Sequence, residues 1–404
     1  MNFLFVHNNF PAQFRNLASA LANEPGHAVR AIAAVGSPGL AGVAIDRYQP
    51  PNGPLIQSHP FARHFESECR RAEQVMFAAS ALSASEYEPD VVFAHCGWGE
   101  SLPLRAVFPR AKIAIYSEFY FRAHGQDVHF DPEAPRLGAD AIVSLQCRNA
   151  ATLLALAEAD LGVSPTHWQR STYPKELHAK IKVAHEGIDV EAASPNDVAI
   201  VRTPSGKTLR RSDEVITYVS RNLERPRGYH IFMRSLRAVL KARPQAQVVI
   251  VGDDKASYGP APPPGTTWKE IFLSENAPHL DVSRIHFMGR VPHPVYLSVL
   301  QISSAHVYLT YPFVLSWSLL EAMSVGCRII ASDTPSVQEV INEDNGVLVP
   351  FFDVDRLAAA IILALERPRD FAEIGANARQ TAMLRFDKRI CVPRLMRLLD
   401  IDRS

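Results

Sequence analysis

The chain predicts an α/β protein of two Rossmann-like domains facing one another across a cleft. Three observations carry that expectation. Short apolar runs rich in Val, Ile and Ala alternate with segments of helical spacing along most of the sequence, which is the pattern of parallel sheets covered on both faces. A polar stretch at residues 192–213, containing SPND, TPSGK and RRSD, interrupts the alternation near the middle. The length of 404 residues suits two domains.

In the first half, residues 3–7 form an apolar strand at the extreme N-terminus, followed by a helix at 12–23 and a strand at 31–35. Residues 63–82 have helical periodicity, and 91–95 and 112–117 read as strands. Short strands are expected at 141–144 and 161–164 around a helix at 147–157, and 182–184 closes the series. The 192–213 stretch reads as a linker with a hairpin at its Pro-Ser-Gly turn. The second series has strands at 215–219, 246–251, 285–288, 307–309 and 328–331, with a helix at 228–242. A helix at 354–364 has Asp353 placed to cap it, and 371–400 is mostly helical. The run YGPAPPPGTT at 258–267 cannot be helical and reads as a surface loop. Ligands of such sheets bind beyond the carboxyl ends of the strands.

Lys plus Arg and Asp plus Glu both number 42, a balance that argues against an electrostatically driven nucleic-acid binder and gives no basic membrane patch. Five cysteines, Cys69, Cys96, Cys147, Cys327 and Cys391, are dispersed without paired spacing, which favours reduced thiols in a cytoplasmic protein over disulfides or a zinc site. MNFLFVHNNF has no basic leader and enters a strand directly, unlike a signal peptide. No apolar run reaches the roughly 18–20 residues of a spanning helix. Peripheral membrane contact and the oligomeric state stay open.

The segment 307–353 is the most informative. Ser316 or Ser318 can cap the helix that carries Glu321, and helix-start amides are good phosphate donors. On spacing alone Glu321 reads equally as a solvated acid placed by the helix dipole. In SRNLERPRG, Arg221 follows an apolar strand and Arg227 lies six residues on, before Gly228. Two guanidiniums there would neutralise a diphosphate, or would form a basic turn against Glu224. In HFMGRVPHPVYLSVL, Gly289 ends a strand and Val291 lies in the loop before the next helix. Asp253 and Asp254 look like metal carboxylates but fall at an ordinary strand end, VGDDKASYG, and read as a loop feature.

The run LLEAMSVGCRIIASDTPSVQEVINEDNGVLVPFFD resembles the donor-binding core of the family 4 (group 1) retaining glycosyltransferases, which have the GT-B fold. That resemblance implies an N-terminal acceptor domain at 1–195, a C-terminal nucleotide-sugar donor domain at 196–380, and a terminal helix at 381–404 packing back on the first domain. It implies a hexosyltransferase that uses a nucleoside diphosphate sugar, UDP-linked ahead of GDP-linked, without cofactor or divalent metal. Glu321 would hold the ribose. Residues 315–318, Leu315, Ser316, Trp317 and Ser318, would line sugar and diphosphate. Gly289 and Val291 would lie at the base. Arg227 takes the place of a usual lysine, and a planar fork replaces a point charge. The usual acid eight residues before Glu321 is absent, and Phe313 stands there.

The N-terminal half carries HCGWGE, YSEFY, DVHFDP, SPTHWQRSTYP and HEGID, which resemble a bacterial subgroup of the same family. Asn8 and Asn9 replace the usual Gly-Gly loop after the first strand, and asparagine tolerates left-handed backbone. His7, Asn8, Asn9, Trp98 and Tyr120 are the candidate acceptor contacts. Trp98 reads as a sugar-stacking platform or as core. Arg221, Arg227, Glu118 and His95 are the candidate catalytic residues. His95 could equally be a satisfied buried histidine, and Glu118 a partner of Arg122. His124 and His129 read as loop residues, not metal ligands. The implied reaction is retaining transfer to an unknown acceptor in glycoconjugate or surface-polysaccharide assembly, with the leaving phosphate taking the acceptor proton. A GT-B phosphorylase or epimerase, or a non-catalytic nucleotide-sugar binder, are the alternatives.

Overall fold

The computed structural model describes residues 1–53 and 58–401. It divides into two compact units, Met1–Gly187 with Lys388–Ser404, and Ile188–Asp387. Residues 402–404 of the expected C-terminal segment lie outside the described residues.

The first unit is built on seven strands, β1 (Asn2–Val6), β2 (Ala28–Ala34), β3 (Ala44–Tyr48), β4 (Val91–His95), β5 (Lys112–Tyr116), β6 (Leu161–Ser164) and β7 (Ile181–Val183). They lie in the order β3-β2-β1-β4-β5-β6-β7, every pair parallel. Alternation along β1 explains the two covered faces. Phe3 and Phe5 enter one apolar cluster, while Leu4 and Val6 enter the other. The first cluster also holds Val392, Leu395 and Met396 of the last helix, Lys388–Leu398. Each such side chain contributes about 1.5–3 kcal/mol by burial. This is why the chain's final helix belongs to the first unit.

In the second unit β8 (Ile200–Arg202) and β9 (Thr208–Arg210) form an antiparallel hairpin, register Val201 to Leu209, around the Pro-Ser-Gly turn. The main sheet contains β10 (Val215–Asn222), β11 (Gln247–Asp253), β12 (Ile285–Gly289), β13 (Ala305–Tyr308), β14 (Ile329–Ser332) and β15 (Val347–Val349). Its order is β12-β11-β10-β13-β14-β15, again parallel throughout. In each main sheet the chain winds outward one way from its first strand and then reverses. The reversals fall between β1 and β4 and between β10 and β13, the places where open α/β sheets leave a crevice at their carboxyl ends.

Three local expectations are corrected. Residues 141–144 are not a strand but part of the helix Ala139–Cys147, and the following helix starts at Ala150. A four-residue apolar run has no decisive period, and nothing in Ala139–Cys147 is buried as a central strand would be. The edge strand β3, AIDRY, was not foreseen, because only Tyr48 of its five residues is buried. Arg221 lies inside β10 instead of after it, since the strand resumes pairing through Asn222 and Asp253 beyond an irregularity. Among the described residues no helix is long and apolar enough to cross a membrane.

Gly99 holds the loop after β4. Its φ is +82°, and an added Cβ would stand 2.4 Å from the Glu68 carbonyl oxygen. Gly125 has a similar φ of +76° but open space around it. Gly99→Ala should therefore cost more than about 2 kcal/mol, and Gly125→Ala only the backbone penalty of about 1–2 kcal/mol. Thermal unfolding of the two variants checks this. Equal melting points would show that backbone angle alone matters.

Candidate functional site

In the second unit the candidate groups gather at the reversal between β10 and β13. Gly228, in left-handed conformation at φ +72°, turns the chain from the short turn Arg225–Arg227 into the helix Tyr229–Ala242. A Cβ there would meet Leu309 at 2.3 Å, so the turn lies directly on the segment after β13. Arg227 is buried, and its guanidinium donates to Thr310 Oγ1 at 2.8 Å and to the Val314 carbonyl at 3.4 Å. The Tyr258 ring lies 4.8 Å from its centre. Burial pulls the Arg227 pKa down, but the surrounding phenols of Tyr308 and Tyr258 outweigh it and hold it above its ordinary value. The cation is thus permanent. Arg221 is exposed, and its guanidinium makes no hydrogen bond or ion pair among the described residues.

Ser316 caps the helix Trp317–Val325, its hydroxyl accepting from the Ser318 amide at 3.2 Å. The Ser316 amide donates to Tyr308 Oη at 3.0 Å, which ties the cap to the end of β13. Trp317 is partly exposed, Ser318 half-buried, and Leu315 turns partly into the core. Glu321 is held from both sides. Its Oε1 lies 2.8 Å from His293 Nε2 and its Oε2 accepts from Tyr296 Oη at 2.8 Å. Each carboxylate oxygen keeps a lone pair for a further donor. Gly289 ends β12 at φ +64°, and Val291 beyond it packs against the core. Phe313 is half-buried with its ring 5.3 Å from that of Tyr258. Asp253 and Asp254 face Lys255 and Lys269 at 3.8 and 3.4 Å. No group of three or more His, Cys, Asp or Glu able to hold a metal occurs among the described residues.

In the first unit a second group collects at the reversal between β1 and β4. His7 follows β1 and His95 ends the adjacent β4, with ring centroids 5.1 Å apart. Each points Nδ1 at the amide two residues on, Asn9 at 2.9 Å and Gly97 at 3.0 Å, and His185 does the same to Gly187 at 2.9 Å. An Nδ1 that accepts leaves the proton of the neutral ring on Nε2. His95 Nε2 stands 3.6 Å from Glu118 Oε2, and Gln13 Nε2 donates to Glu118 Oε1 at 2.9 Å. Burial pushes the Glu118 carboxyl up, but facing His95 and Gln13 it is held below the usual carboxylate range. Burial, and then the neighbouring His95, push His7 down to about 3.

Trp98 is exposed to 39%, so it is not core, and its carbonyl takes a 2.9 Å bond from Arg71. Tyr120 turns sideways, its ring 5.7 Å from that of Tyr173. The Asn8-Asn9 turn does not use left-handed asparagine, because Ala12 is the residue with positive φ there. Instead the Asn8 amide donates to buried Glu100 at 3.0 Å and the Asn9 amide to His7. Glu118 pairs with His95 and Gln13, not Arg122, whose guanidinium donates to the Tyr173 carbonyl. His129 accepts from the Leu137 amide.

Sequence reasoning named Glu224 beside the basic turn but missed Glu100, Tyr258, His293, Tyr296 and Thr310. Glu100, in HCGWGE, accepts from Tyr48 Oη at 2.5 Å, and burial pushes its carboxyl up. The repeated His-x-Asn/Gly spacing at 7, 95 and 185 was a readable signal. The other contacts join residues 25 or more apart, for which one sequence carries no signal.

The two-unit fold is that of the GT-B glycosyltransferases. Residues 25–193 match the family model described as "Glycosyl transferase family 4 group", and 203–381 the one described as "Glycosyl transferases group 1". The chain belongs to this group. Curated relatives include a D-inositol 3-phosphate glycosyltransferase of Mycobacterium ulcerans, 30% identical over 45% of this chain. The match spans only 37% of that relative's length. Another is a phosphatidyl-myo-inositol mannosyltransferase of Mycolicibacterium smegmatis, 25% identical over 67% of this chain and 69% of its own. Among solved structures, Anabaena HepE in complex with UDP and glucose superposes with a TM-score of 0.69 at 18% identity, covering 99% of each chain.

Buried neutral histidines make stability depend on pH. His7 lies near 3, and burial lowers His306, which is bonded to Thr217 in the second unit, to about 4. Both start from 6.5 when unfolded, so between 6.5 and those values the unfolded chain binds the extra protons. Stability should therefore be full above about pH 6.5 and fall below it, by up to about 1.4 kcal/mol per pH unit per histidine. Urea unfolding between pH 7 and 4 measures this, and His306→Gln should flatten the slope.

Proposed function

We propose that the protein is a retaining glycosyltransferase that moves a hexosyl group from a nucleoside diphosphate sugar to a hydroxyl acceptor. The observation that carries this reading is Arg227, a permanent cation bonded to Thr310 beside the capped start of the Glu321 helix, in the stretch matched by the group 1 model. Arg227 and exposed Arg221 would neutralise the diphosphate as it leaves, a stabilisation that grows with the developing charge. The start of the helix Trp317–Val325 would turn its positive dipole end to the same phosphates. Glu321, oriented by Tyr296 and His293, would accept the ribose hydroxyls. Gly289 and Val291 would border the base. UDP is our preferred base, supported by the UDP complex of HepE.

The first unit would hold the acceptor. His7, Asn8, Asn9 and Trp98 lie at or just beyond the carboxyl ends of β1 and β4. Glu118, held ionised, and the Nε2 proton of His95 can orient an acceptor hydroxyl, while the leaving phosphate takes its proton. Tyr120, packed on Tyr173, would act as a wall. The mycobacterial relatives support an inositol- or lipid-linked acceptor met by peripheral membrane contact. HCGWGE and YSEFY support the bacterial subgroup. Free thiols at all five cysteines support a cytoplasmic setting. No step in this scheme is assigned to a metal.

Labelled UDP- and GDP-sugars test the reading through release of the nucleotide. Arg227→Ala should lower turnover by about 100-fold or more, as loss of a transition-state donor does. Tyr296→Phe should weaken nucleotide binding with a smaller effect on turnover. The reading fails if no sugar nucleotide binds or if Arg227→Ala turns over normally.

A further inference from the structure

One cluster of the second unit has no part in holding the diphosphate, ribose or base. Tyr258 opens the proline-rich loop, yet its backbone is fixed in place. The Glu224 carboxylate is fully buried and accepts four bonds from that loop. They come from Ser257 N at 3.1 Å, Ser257 Oγ at 2.6 Å, Tyr258 N at 3.1 Å and Gly259 N at 3.1 Å. A buried carboxylate needs such donors, and here all of them come from 33 or more residues away. A Cβ on Gly259 would stand 2.9 Å from the Pro226 ring, so the loop is seated on the turn that carries Arg227.

The seating gives the Tyr258 ring two neighbours. On one side is the Arg227 guanidinium at 4.8 Å, and on the other the Phe313 ring at 5.3 Å and 60°. Tyr258 keeps 39% of its surface exposed and Phe313 is half-buried, so the pair presents aromatic surface next to a buried cation. Neither ring offers the strong acceptor that a carboxylate at 313 would give to sugar hydroxyls. Aromatic surface instead favours C–H groups, with the Tyr258 hydroxyl as a single polar point.

We propose that Tyr258 and Phe313 form an aromatic wall for the donor's sugar ring, and that Glu224 is its positioning residue. This rests on the nucleotide-sugar reading above and deepens it. The wall selects a sugar that turns a C–H face or a deoxy position towards residue 313. Arg227, in contact with Tyr258, links the wall to the diphosphate.

The test separates sugar from nucleotide. Calorimetry is run on the full chain with UDP and UDP-glucose, GDP and GDP-mannose, and GDP-rhamnose as the 6-deoxy counterpart of GDP-mannose. Tyr258→Ala and Phe313→Ala should weaken the bound sugar nucleotide roughly tenfold while the matching nucleoside diphosphate changes by less than about twofold. Glu224→Gln should reproduce the Tyr258→Ala ratio, and Tyr258→Phe should restore most of it. Equal losses for nucleotide and sugar nucleotide, or no loss, overturn the proposal. If the unmodified protein binds none of the nucleoside diphosphates, the donor reading itself falls, a result distinct from an unchanged ratio.

Discussion

The second unit is organised around one buried cation, Arg227. A guanidinium taken out of water costs several kcal/mol unless its donors and charge are met. Arg227 is met by Thr310, the Val314 carbonyl and the Tyr258 ring, while its own carbonyl takes a 2.6 Å bond from Tyr218. Satisfying one side chain therefore fixes the turn after β10, the loop after β13 and the start of the Glu321 helix together. Removing the Thr310 hydroxyl would leave one buried guanidinium donor unmet.

Both units solve a similar problem at the same topological place. Where strand order reverses, two adjacent strands send their following segments apart, and the carboxyl ends stay open. In the second unit the space is bordered by Arg227 and a helix cap, which suit phosphate. In the first it is bordered by His7, His95 and Glu118. The histidines close their own loops by accepting from the amide two residues on, so each ring is fixed in one tautomer without a distant partner. A carboxylate faced by such a ring stays charged despite burial. The residue types at the two reversals thus differ by unit, a buried guanidinium with a helix cap in one and paired histidines with a carboxylate in the other.

The alternation, the hairpin at 203–207, the caps at Ser316 and Asp353 and the surface loop at 258–267 were legible because each is a local signal: period, turn chemistry, or a capping side chain followed by its helix. Residues 141–144 were not, because a short apolar run fits strand and helix equally. The Asn8-Asn9 turn was misread for a related reason. Local propensity pointed to left-handed asparagine, but neither asparagine has positive φ, and Glu100 and His7 accept from their amides. Arg227 and Glu321 could be named from spacing and resemblance. Their partners could not, since Tyr258 and Thr310 reach Arg227 from 31 and 83 positions away.

Phe313 shows how far such a division extends. The groups that would meet phosphate and ribose sit on strand ends and helix starts, where backbone hydrogen bonding fixes them. Residue 313 sits in a loop between those elements, as does Tyr258, and loops change composition with little cost to the core. Replacing an acid there by phenylalanine removes a charge that would stand close to Arg227. The cation then keeps its contacts with Thr310, a carbonyl and the Tyr258 ring, with Glu224 as the carboxylate that acts on it. Glu224 already sets one carboxylate in the electrostatic surround of Arg227, and a second acid at 313 would offset more of its positive potential. On the donor reading proposed above, phenylalanine at 313 would spare the diphosphate a second opposing charge while narrowing what the neighbouring sugar can present.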